Sequence, residues 1–147
     1  IGLINSRFQG KNEEAKQNIM ETLQSAFEGY NIEIIRQDNE HRPLDGPNTI
    51  LIYNNEDKSP LLGEIKYAGD FAITEPDPYN SRLVSDYAYV YAKSFSHFSD
   101  DYEFQDLTKE LAYAGAHQVG HSLGLYDVQD FENIMDYGMH YIHWSGE

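Results

Sequence analysis

The stretch that most constrains this 147-residue chain is His117-Gln118-Val119-Gly120-His121-Ser122-Leu123-Gly124-Leu125-Tyr126-Asp127, followed closely by Asn133-Ile134-Met135-Asp136-Tyr137. His117 and His121 are four apart, so on a helix both imidazoles leave one face about one turn apart. That spacing lets two neutral ring nitrogens reach one tetrahedral Zn²⁺ at roughly 2.0–2.1 Å each. Gly124 sits where a helix that must stop and turn favours a residue tolerant of positive φ. Three residues later, Asp127 offers a carboxylate that can return as a third ligand. A fourth position left open is what separates a catalytic zinc site from a structural one. Two histidines at this spacing also occur as ordinary residues. The glycine, the acid and the methionine at their offsets turn the balance toward a metal site.

On these residues the run resembles the metzincin signature H-E-x-x-H-x-x-G-x-x-(H/D), and Asn133–Tyr137 resembles its Met-turn. Asp127 stands where His is commoner, which is similar to the snapalysin-type branch, and the gap to the Met-turn is very short. The resemblance implies a zinc-dependent endopeptidase acting on peptides or proteins. His117, His121 and Asp127 would hold Zn²⁺, with Gly124 at the turn and Met135 as an apolar floor beneath the metal. Tyr137 matches the position of a mobile tyrosine in astacin- and serralysin-like relatives and would donate a hydrogen bond to an oxyanion. The implied architecture is α+β (α/β-like): a twisted, mixed and mostly parallel sheet backed by two helices, one carrying the zinc motif. By the same resemblance the chain is expected to be secreted and monomeric.

Position 118 holds Gln where the signature has Glu. In the family mechanism that Glu takes a proton from the attacking water and passes it to the leaving amine. A carboxamide keeps the shape and the hydrogen bonding but accepts no proton there. The loss of a general base costs on the order of 10²–10⁴ in rate. Zinc binding should survive, because position 118 is not a ligand. Gln118 therefore marks either an engineered inactive form or a natural pseudopeptidase that binds peptides or a partner without cutting. The intact remainder of the motif favours the first. A third, weaker reading is a structural zinc domain closed by His140 or His143; an exposed tail is the simpler account of these two.

The length suits one domain, residues 1–147, with a short C-terminal subdomain after about 125. A net charge of −15 argues against nucleic acid and against an anionic membrane surface as partners. There is no Cys, so no disulfide can form. No apolar run approaches the roughly 20 residues of a membrane span. The start at Ile1 reads as a processed or trimmed form.

Along the chain, residues 1–8 are expected to form a first strand. Asn12 should cap a helix bearing Glu13 and Glu14 in its first turn and Ile19, Leu23, Ala26 or Phe27, and Tyr30 along one face, stopping at Gly29. Residues 31–37 read as a second strand, 42–47 as a turn-rich loop, and 49–53 as a strand buried on both faces. Residues 61–74, divided by Gly69-Asp70, are either an ordinary hairpin or an edge strand able to pair with an extended peptide. Pro76 and Pro78 end that element. Tyr87–Ala92 alternates large aromatics with small residues, a strand signal, and His97 follows in a loop. Asp100 and Glu103 have capping-box spacing, and Phe104, Leu107, Leu111 and Ala114 mark the buried stripe of the second helix. Gly115 and Gly120, each unfavourable in a helix by up to about 1 kcal/mol, suggest close approach of another backbone.

Overall fold

The computed structural model describes residues 8–36, 49–59, 61–66, 86–97, 103–130 and 133–136. Within them the chain forms α1 (Asn12–Ala26), β1 (Thr49–Asn54), β2 (Gly63–Lys66), β3 (Asp86–Tyr91), a 3₁₀ segment (Ala92–His97) and α2 (Phe104–Ser122). This is a small α+β arrangement of two helices and a three-stranded mixed sheet. The strand order is β1-β3-β2. β1 runs parallel to β3, with Thr49 opposite Asp86, and β2 runs antiparallel to it, with Gly63 opposite Val90. The described sheet is thus evenly mixed rather than mostly parallel.

α2 is the centre of the molecule. Leu107 and Leu111 are wholly buried, Ala114 nearly so, and Phe104 closes the stripe, as the helical spacing suggests. Each such leucine contributes roughly 1.5–3 kcal/mol by leaving water. α1 lays Ala15, Ile19 and Leu23 against this core. The sheet covers α2 through the small side chains of β3: Ala88 and Val90 are fully buried, whereas Tyr87 is exposed. The tyrosines take the opposite face, where Tyr89 and Tyr91 stack with centroids 6.4 Å apart. Period-two alternation thus marks the strand correctly, and it is the small residues that point to the helix.

Several expectations are corrected. The residue before α1 is Lys11, one position earlier than expected, and no side chain caps this end. Residues 31–36 form no strand: Ile34 packs partly against the core, Ile35 is exposed, and no ladder joins them to the described sheet. Arg36 instead returns to α1 through Glu13, 2.9 Å away. Tyr30 lies past the helix end, 70% exposed, after Gly29 takes φ 85°. β1 is half-buried along its whole length rather than enclosed on both faces, because among the described residues it is an outer strand of the sheet. Glu103, not Asp100, directly precedes α2 in extended conformation and makes no side-chain cap. The expected elements at 1–7, 42–47, 67–74 and 75–78, together with Asp100, lie outside the described residues, as do Tyr137, His140 and His143.

The helical glycines make room for side chains, not for a backbone. A Cβ on Gly115 would collide with the Tyr53 hydroxyl and crowd Leu51 at 3.0 Å. That hydroxyl donates to the Leu111 carbonyl at 2.8 Å and is held well above its ordinary pKa by burial, so it is a neutral donor. Gly120 makes the same allowance for Met135.

Gly115→Ala is therefore expected to destabilise by about 1–3 kcal/mol in urea unfolding, despite the better helix propensity of alanine. Tyr53→Phe removes the obstructing oxygen, so the double variant should lie above the sum of the two single losses. A stabilised Gly115→Ala protein would refute this packing.

Candidate metal centre

The site forms where α2 ends and reverses. The Leu123 and Gly124 amides bond back to the Val119 and His121 carbonyls, and the Leu125 amide reaches the Gly120 carbonyl at 3.0 Å. Gly124 takes φ 91°. This is a Schellman closure, with glycine at the left-handed position where an L side chain would be strained. The reversal carries Asp127 back beneath the last turn of the helix.

Three ligand atoms converge there. His117 Nε2 lies 3.0 Å from His121 Nε2 and 3.0 Å from Asp127 Oδ1, and His121 Nε2 lies 3.1 Å from the same oxygen. No other group of this kind occurs among the described residues. Each imidazole is oriented from behind by a backbone carbonyl: His117 Nδ1 at 2.8 Å from the Ile134 oxygen, and His121 Nδ1 at 2.9 Å from the Leu125 oxygen. A carbonyl only accepts, so both Nδ1 atoms carry hydrogen and both Nε2 atoms present lone pairs. Two lone pairs and a carboxylate oxygen then face one point, an arrangement that electrostatics disfavours without a cation or a shared proton between them.

The donor set fits zinc. Regular tetrahedral bonds of about 2.0–2.1 Å place ligand atoms roughly 3.3–3.4 Å apart, so small outward shifts complete the geometry. Burial holds His117 below its ordinary pKa, reinforced by the neighbouring His121 and opposed by the Ile134 carbonyl and Asp127. The neutral imidazole is the form that ligates. Exposure rises from His117 (4%) through His121 (19%) to Asp127 (36%), so the cluster opens to solvent on the carboxylate side.

The turn at 133–136 supports this centre. Asp136 N–H donates to the Asn133 carbonyl and Met135 N–H to Asn133 Oδ1, both at 2.9 Å. Val128 N–H donates to the Met135 carbonyl at 2.8 Å, and Asp130 N–H to Asp136 Oδ1 at 3.0 Å. Met135 is buried, with its sulfur against Gly120. One short turn thus supplies both the packing under α2 and the carbonyl that orients His117.

Gln118 is buried on α2 with its side chain against Gly63 of β2. The structure brings His117, His121 and Asp127 together, puts Gly124 at the turn with positive φ and packs Met135 against Gly120 of α2, whereas Tyr137 lies outside the described residues. The carbonyls of Ile134 and Leu125 and the hollow at Gly63 escape sequence reasoning. Backbone acceptors leave no mark in residue identity, and only Gly124 and Asn133 signal the turns that aim them. Comparison with known proteins finds no matching family model, no matching curated protein and no matching solved structure.

Two outcomes follow from this geometry. Titration with Zn²⁺ should show one equivalent bound; alanine at His117, His121 or Asp127 should weaken it at least about tenfold, and Gln118→Ala should not. Unchanged affinity in the three ligand variants would refute the assignment. In the metal-free protein, unfolded His117 takes up a proton below about pH 6.5 while the folded residue resists it. Stability from this residue is present above that pH and lost on acidification, so His117→Gln should flatten the acid limb of the melting-temperature profile.

Proposed function

We propose that this chain is the catalytic domain of a zinc-dependent endopeptidase of metzincin type, with glutamine at the general-base position. The observation that carries the reading is the convergence of His117 Nε2, His121 Nε2 and Asp127 Oδ1 at the end of α2, each imidazole aimed by a carbonyl behind it. Bound by these three residues, Zn²⁺ supplies Lewis-acid polarisation of a substrate carbonyl and makes water a stronger nucleophile near neutral pH.

The remaining roles belong to the chain. His117 and His121 would hold the metal as neutral donors, and Asp127 would add one negative charge, making it less electrophilic than with three imidazoles. Gln118 follows His117 on the helix and lies one turn from His121. There its carboxamide can orient a water by hydrogen bonding but takes no proton. A glutamate at the same place accepts that proton and returns it to the departing amine. β2 is an outer strand of the described sheet, antiparallel to β3, and its backbone approaches residue 118 at Gly63. An extended peptide adding to that edge would bring its own backbone to the metal with few demands on side chains. Tyr137 would complete the site by stabilising the oxyanion.

A second reading follows from Gln118 itself: a pseudopeptidase that uses the same cleft for binding. Gln118→Glu separates the two. We expect both forms to bind one zinc and the Glu form to cleave a peptide library about 10²–10⁴-fold faster. Equal zinc with no hydrolysis by either form would overturn the peptidase reading in favour of binding.

A further inference from the structure

We propose that Gly63 is a positioning residue for the side chain at 118, and that the bare α-carbon of β2 sets where the head group of residue 118 stands. In the β2–β3 ladder Gly63 is opposite Val90, which is fully buried on the face toward α2. A side chain at 63 would enter the same layer. Residue 118 occupies that space instead. A Cβ at Gly63 would lie 3.2 Å from Gln118 Cγ and 3.1 Å from its Nε2, tighter than ordinary van der Waals contact.

The stem and the head of Gln118 therefore both rest on the strand. Glu has the same length and branching, so it fills the same hollow. Glycine at 63 leaves room for the course that this side chain takes, which a Cβ there would crowd. Residue 118 directly follows His117 and precedes His121 by one turn, so any displacement of its head group alters its distance from the ligand cluster. A group misplaced by about 1 Å costs on the order of 10²-fold in rate.

Gly63 has a purely structural use as well: a Cβ there would stand 2.5 Å from the Tyr89 carbonyl of β3. Glycine at 63 thus serves the strand pairing and the placement of residue 118 together, and the test must separate the two.

The catalytic consequence rests on the proposed peptidase reading, whereas the contact itself does not. The first measurement is NMR on the unmodified zinc-loaded protein: an Overhauser contact between the Gly63 α-hydrogens and the Gln118 γ-hydrogens. Its absence overturns the proposal with no variant required and no activity assumed. The second places Gly63→Ala in the Gln118→Glu background. We expect zinc stoichiometry to stay at one and KM to change less than about twofold, while kcat falls about 10²-fold. Lost zinc, or a raised KM with unchanged kcat, would show that Gly63 serves the strand alone and overturn the proposal. If Gln118→Glu is itself inactive, the peptidase reading fails, while the Overhauser contact still decides the placement of residue 118.

Discussion

The function proposed for this chain depends on bringing three acceptor atoms to one point. Unassisted, two imidazole lone pairs and a carboxylate oxygen repel one another, and an unrestrained chain would let them part. Here they are held within 3.0–3.1 Å by covalent spacing along α2, by the reversal at Gly124, and by the carbonyls behind both rings. The stability of the scaffold is thus spent on an electrostatic convergence that a cation, or a proton shared among the three atoms, relieves. Sites that store such a conflict are where local folding preferences give way to chemistry.

The scaffold earns its rigidity from close packing around α2. Ala88 and Val90 of β3 let the sheet settle onto the helix, Gly115 admits Tyr53, and Gly120 admits Met135. Each is a place where a smaller residue on one element receives a larger one from another. Two of these contacts lie on the same helix as His117 and His121, so the hydrophobic core and the candidate metal centre share that helix. The turn at 133–136 joins them from below: the Met135 sulfur packs on the helix while the Ile134 carbonyl fixes a ring.

The His117–His121–Asp127 cluster, the turning glycine and the buried stripe of α2 were legible because each depends on residue type at fixed spacing. The alternation of 87–92 likewise revealed a strand, since period two is local. What could not be read was pairing and depth. The isoleucines of 31–36 look like a strand, yet a strand exists only through a partner, and none of the described strands meets them. The apolar run of β1 says nothing of its place in the sheet, and it proves to be an outer strand of those described. Capping patterns around Asn12 and Glu103 failed by one to three positions, the usual scale of uncertainty at helix ends. The glycines of α2 announced a close approach and suggested a backbone, whereas side chains of Tyr53 and Met135 come near, because glycine marks the space without marking what fills it. Gly63 gave no signal at all, because the residue that fills its hollow lies 55 positions further along the chain.

X-ray absorption spectroscopy of the zinc-loaded protein tests the central claim most directly. The chain has no cysteine, so thiolate cannot confuse the first coordination sphere. The expected spectrum is that of four-coordinate zinc with two imidazoles, whose rings give outer-shell scattering, and oxygen donors at about 2.0–2.2 Å. Zinc surrounded by oxygen alone, with no imidazole scattering, would mean that His117 and His121 do not hold the metal. The functional reading would then fall with them.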